Sequence, residues 1–132
     1  MNHRQAACAC GQLQLTCSGD PVRVSVCHCL DCQRRTGSAF GAQARFAAAH
    51  VVISGPSQVF MRVGDSGGTG ELHFCPVCGS TVWWSLDSVP GFVSVALGAF
   101  ADPAFPAPAV SVYVERRHPW VQIGGPAAEH FE

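Results

Sequence analysis

Polar and apolar residues alternate over Gln12-Leu13-Gln14-Leu15-Thr16-Cys17, predicting a half-buried strand with Leu13, Leu15 and Cys17 on its inner face. Ser18-Gly19-Asp20-Pro21 reads as a turn, and residues 22–26 alternate again with Arg23 and Ser25 outward. Residues 31–35 fit one helical turn ended by Gly37. Further strands are expected over 38–46, 51–53, 58–63, 92–97 and 110–114, and a hairpin over 71–74 and 81–85. Residues 64–70 form a Gly-rich hairpin loop, and Pro103, Pro106 and Pro108 keep 101–109 out of any central ladder. The tail from Gly124 is expected to be loose. Long helical periodicity is absent, as is any internal repeat. The pattern predicts a mainly β chain of short strands in small sheets.

Composition narrows this picture. At 132 residues, 48% hydrophobic and 13% charged, the sequence suits one globular domain over 1–132, with its core at about 8–123. Its 14 Gly and nine Pro agree with many turns. No apolar run approaches the roughly 20 residues of a membrane span. The polar start Met1-Asn2-His3-Arg4-Gln5 lacks the apolar stretch of a secretory signal. The expected location is therefore cytoplasmic, where clustered cysteines more often hold metal than form bridges. Formal net charge is −1, and every Lys/Arg-type cation is an Arg. Neither property suits a nucleic-acid partner, and no membrane partner is expected. The 64–70 loop lacks the Gly-Lys-Ser/Thr ending of a phosphate loop and reads as a turn.

Candidate chemistry lies in the cysteines. Seven of the eight fall in three clusters: Cys8-Ala9-Cys10, Cys27-His28-Cys29-Leu30-Asp31-Cys32 and Cys75-Pro76-Val77-Cys78. Residues two apart on an extended chain point the same way, so one strand would present Cys8 and Cys10 to one point. Cys75 to Cys78, followed by Gly79, has the spacing of a zinc knuckle. Together the two pairs make a closed four-thiolate site. A redox dithiol at Cys75/Cys78 would need a βαβ setting that is missing. The middle cluster offers three thiolates and an odd count. Strand alternation turns His28 away from Cys27 and Cys29, and Cys17 reads as core. A three-thiolate zinc with an open position is the expected arrangement, the alternative being a second inert site completed by water or Cys17. An open zinc of this kind suits an incoming thiol. Arg34, and with less weight Arg35, would offset its charge and engage a substrate carboxylate. Both sites filled bring the net charge to about −4.

These motifs resemble a known family. Cys8-Ala9-Cys10-Gly11, the run from Cys27 to Phe40, and Phe74-Cys75-Pro76-Val77-Cys78-Gly79-Ser80 are similar to the glutathione-dependent formaldehyde-activating enzyme family, also called the centromere protein V domain family. Pro119-Trp120-Val121 fits its closing segment, and Cys17 stands outside its pattern. The resemblance implies a β-tent (Mss4-like) fold of small antiparallel sheets around two zinc ions per chain. It implies a structural zinc on Cys8, Cys10, Cys75 and Cys78, and a catalytic zinc on Cys27, Cys29 and Cys32. It also implies the addition of a small thiol, glutathione, to a small aldehyde, formaldehyde, a reaction classed under carbon–sulfur lyases. A zinc-stabilised binding module without chemistry is the alternative; a reductase on the same fold would have only Cys17 as a free thiol. The oligomeric state is not legible.

Of the remaining residues, one of Trp83 and Trp84 must face the core, leaving the other for a cleft wall. His73 and His118 read as surface or supporting histidines, and Asp31 as a helix cap.

Overall fold

The alternating stretches fold into ten strands among the described residues, which are 2–64 and 66–132 of a computed structural model. Met1, and Asp65 of the expected 64–70 loop, lie outside them. Strands β1 (His3–Ala7), β2 (Gln14–Ser18) and β5 (Val51–Ser54) make a three-stranded sheet in the order β1-β2-β5. The second sheet holds β3 (Arg23–Cys27), β4 (Gly41–Ala47), β6 (Gln58–Val63), β7 (Thr69–Phe74), β8 (Thr81–Leu86), β9 (Phe92–Ala96) and β10 (Val110–Val112). Its order is β10-β3-β4-β9-β8-β7-β6. The protein is thus mostly β, with antiparallel pairing except where β10 runs parallel to β3. The one α-helix among the described residues, α1 (Leu30–Thr36), follows β3. Among the described residues no helix is long and apolar enough to cross a membrane.

Period-two patterning gives the large sheet two unlike faces. Val24 of β3 pairs with Ala44 of β4, which pairs with Val95 of β9; Phe46 pairs with Val93. These side chains are buried with Ala6, Leu13, Leu15, Cys17 and Phe100 in the main core beneath the small sheet. Cys17 is fully buried there and far from either cysteine cluster in role, as its inward position predicts. On the opposite face the same register aligns Arg23 with Arg45, Ser25 with Gln43, and Cys27 with Gly41.

One strand is added to the expected set and two expectations are corrected. The polar N-terminus forms β1, held by five paired positions against β2. Its Arg4 donates to Gly19 O at 3.0 Å and lies over the Phe105 ring, while exposed His3 meets Ser18 Oγ. The tail is not loose: Phe131 bridges Ser111 in parallel, with Ser111 N–H donating to His130 O at 2.9 Å and Glu132 N–H to Ser111 O at 2.9 Å. Backbone groups left open on the outer edge of β10 account for this docking. The strand expected over 38–46 begins only at Gly41, because Gly37 ends α1 in the left-handed region (φ 66°) and its N–H returns to Gln33 O.

Candidate functional site

Cys8, Cys10, Cys75 and Cys78 converge, their sulfurs all within 4.8 Å of one another. Cys8 and Cys10 sit in a turn after β1, not on a strand: Gly11 N–H donates to Cys8 O and Cys8 N–H to Leu13 O, folding the chain back at once. Cys75 and Cys78 occupy the turn between β7 and β8, where Gly79 (φ 80°) donates to Cys75 O at 2.9 Å. The sulfurs of Cys8 and Cys10 lie 3.6 Å apart and those of Cys10 and Cys75 3.7 Å apart. Tetrahedral zinc with Zn–S near 2.3 Å requires about 3.8 Å between sulfurs, so the donor set fits that ion. Backbone N–H groups of Leu13 and Val77 donate to the sulfurs of Cys8 and Cys75. The site ties the small sheet to the β7–β8 hairpin of the large one.

The second cluster sits where β3 becomes α1. Cys27 is the last residue of β3, Cys29 is the helix N-cap, and Cys32 lies in the first turn. The Cys29 sulfur accepts the Cys32 N–H at 3.3 Å, doing the capping that Asp31 was expected to do. Asp31 instead faces Arg62 of β6 at 4.0 Å. All three sulfurs are buried and mutually within 4.8 Å, with no fourth His, Cys, Asp or Glu in the group among the described residues. His28 is fully buried on the other side against Phe40, at 6.1 Å between ring centroids. Three sulfurs at this separation suit a zinc with a vacant coordination position. Hydrogen bonds from the Cys27 and Cys29 thiols, with the positive charges of Arg35 and Arg62, pull Cys32 down to about 2; the same sharing pushes Cys27 up.

The trio opens on a cavity of about 240 Å³. Arg23, Ser25, Gln43 and Arg45 of the polar sheet face form one wall, and Arg62, Trp84, Gly64, Ser66 and Gly68 line another side. Tyr113, in the left-handed conformation (φ 54°), packs on the cysteines at the edge. Arg35 lies over Trp84, its guanidinium carbon 4.3 Å from the ring centroid. Trp84 is therefore the cleft tryptophan. Trp83 faces the core and stacks on His73 at 3.7 Å. His73 also meets Ser57 Oγ at 2.9 Å, while His118 binds Gln33 Oε1 at 2.8 Å, and Gln33 in turn donates to His28 O.

Arg34 is exposed and lines a separate groove with Phe60 and Phe74, away from the cysteine cavity. Helical geometry explains the exchange of roles with Arg35. Position i+3 from Cys32 shares its face, whereas i+2 is turned about 200° around the axis. The same logic would have found Arg23: it is outward on β3 and two steps of period two from Cys27. Arg45, Gln43, Arg62 and Tyr113 carry no comparable local signal, since strand pairing alone brings them in.

Comparison with known proteins agrees with this geometry. The sequence model of the family described as glutathione-dependent formaldehyde-activating enzyme matches residues 3–116. The crystal structure of a Rhodobacter sphaeroides protein, a structural genomics target, superposes with a TM-score of 0.56 at 18% identity. That match covers 72% of this chain and 85% of the other and concerns the fold. Comparison with the curated proteins gives no match.

Proposed function

The chain belongs to the glutathione-dependent formaldehyde-activating enzyme family, and on that premise we propose that it is a zinc enzyme joining glutathione, or a similar small thiol, to formaldehyde or a related aldehyde. One observation carries the reading: three buried sulfurs that suit one metal open on a cavity instead of meeting a fourth side chain. Cys27, Cys29 and Cys32 would hold the ion, and Cys8, Cys10, Cys75 and Cys78 a structural one. Zinc in the three-sulfur site supplies a Lewis-acidic position at which a thiol loses its proton near neutral pH.

The reaction needs little else. The substrate sulfur shares its electron pair with the aldehyde carbon, the C–S bond forms, the carbonyl π pair moves to oxygen, and that oxygen takes a proton. The product is a hemithioacetal, S-hydroxymethylglutathione for this pair, which places the enzyme among carbon–sulfur lyases. Arg35 and Arg62 offset the net negative charge of three thiolates on a divalent ion, and Trp84 holds Arg35 in place. Walls around the thiol restrict its orientation toward a small aldehyde, which lowers the entropic part of the barrier. Arg34 belongs to this proposal only as a contact for a substrate that extends out of the cavity, since it faces the neighbouring groove.

Titrating glutathione into the cobalt-substituted protein tests the reading. Thiolate-to-cobalt absorption should change at millimolar thiol, and substitution of Cys29 should abolish the change. An unresponsive spectrum would leave a zinc-stabilised module without thiol chemistry.

A further inference from the structure

The polar face of the large sheet continues past the cysteines. Four residues along β3 from Cys27, about 13 Å of strand, stands Arg23, paired across to Arg45. Ser25 and Gln43 fill the interval, with Gln43 Nε2 donating to Ser25 Oγ at 2.8 Å. Two polar atoms here are buried with no partner among the described residues: Arg23 Nε, a donor, and Gln43 Oε1, an acceptor. Buried groups left this way each cost free energy unless a ligand satisfies them. The two guanidiniums also repel. Burial and the Arg23 charge lower the Arg45 pKa, and Glu132 is the counter-charge acting against that.

Glu132 reaches this place through the docked tail. Its backbone pairs with Ser111 of β10, next to β3, and its Oε1 meets Arg23 Nη1 at 3.0 Å. Both partners of this ion pair are partly exposed, at 27% and 49%, so the contact is weak enough to exchange. A carboxylate of this chain thus lies against the arginine that lines the far end of the cysteine cavity.

We propose that Arg23 and Arg45, with Gln43, form the subsite for a carboxylate and its neighbouring N–H on the thiol substrate, and that Glu132 occupies the Arg23 side of it until the substrate arrives. The ligand class is an amino-acid-like carboxylate joined by a few bonds to a thiol. Guanidinium donors take the carboxylate, and the open Gln43 oxygen takes the N–H. The span from Arg23 to Cys27 suits an extended short peptide, not a simple alkyl thiol. This proposal rests on the thiol-docking reading above.

The test uses the zinc-loaded full chain and S-methylglutathione, which has the carboxylates and amides but no free thiol, with affinity read by titration calorimetry. Glu132→Gln should tighten binding about two- to fivefold, because a competing ion pair of that strength is removed. Arg45→Met should weaken it roughly tenfold or more, with unchanged zinc content and circular dichroism. No detectable binding to the unsubstituted chain, or equal affinity in the Glu132→Gln protein, overturns the proposal; the exposed Glu132 position makes that variant safe for folding. The cobalt spectrum separates the two ideas. If glutathione alters it while S-methylglutathione shows neither effect, thiol docking stands and the subsite falls. If the calorimetric pattern appears with no spectral response, the carboxylate subsite stands and the thiol reading falls.

Discussion

Gly41→Ala tests how the helix supports the three-sulfur site. Gly41 opens β4 opposite Cys27, in ordinary extended backbone, so alanine is not strained there. A Cβ at this position would lie 2.8 Å from Arg35 Nη2, 3.4 Å from Cys32 Cβ and 3.6 Å from Thr36 Cγ2. Of the three, the end of the Arg35 side chain is free to yield. Displacing it loses the contact with Trp84, about 0.5–2 kcal/mol. Restricting the unfolded chain returns about 0.4–1 kcal/mol. The net change should therefore lie between a gain of about 0.5 kcal/mol and a loss of about 1.6 kcal/mol. The metal site should not be so tolerant. Moving the Arg35 charge off Cys32 is expected to weaken the zinc at Cys27, Cys29 and Cys32 about tenfold, and Arg35→Met by up to about a hundredfold. Chelator competition on the zinc-loaded protein measures this, with the four-cysteine zinc as an internal control. Because both substitutions act through one guanidinium, the double variant should match Arg35→Met within about 0.5 kcal/mol. Gly41→Ala with unchanged affinity at the three-sulfur site, or with both zincs weakened alike, would refute this coupling.

Cys29→Ser should lose one zinc of two and keep its circular dichroism, whereas Cys78→Ser should lose the tie between the sheets and unfold; identical behaviour would end the division into two kinds of site. His28→Leu should retain both zincs and be no less stable in urea, rising by up to about 2 kcal/mol, since neither ring nitrogen has a partner among the described residues; loss of a zinc would make His28 a ligand. Gly55→Ala should cost about 2 kcal/mol or more in the same assay, because Gly55 has φ 94° and the added Cβ would fall on the Gln12 carbonyl oxygen; a neutral result would contradict the packing of β2 against β5.

Strand periodicity and cysteine spacing made most of this molecule legible from sequence. Leu13, Leu15 and Cys17 are buried as alternation requires, and β6 spans Gln58–Val63, the 58–63 stretch expected from sequence. Both sulfur groupings follow from short-range spacing joined by composition. What escaped was set by distant pairing. Nothing local says that β10 joins β3 in parallel, yet that placement brings Tyr113 to the cysteines and gives the tail an edge to dock on. Likewise Arg45 and Arg62 lie on strands remote in sequence, and only the sheet order turns them toward the same cavity. Arg34 and Arg35 are told apart by helix face and not by adjacency along the chain, since only position i+3 shares the face of Cys32.

X-ray absorption at the zinc edge addresses the vacant corner most directly. One site with four sulfurs and one with three gives an average of three and a half sulfurs per zinc in the resting protein. Excess glutathione should raise that average to four as its thiol joins the second ion. An average of four before any thiol is added, or no rise at millimolar glutathione, would contradict the account.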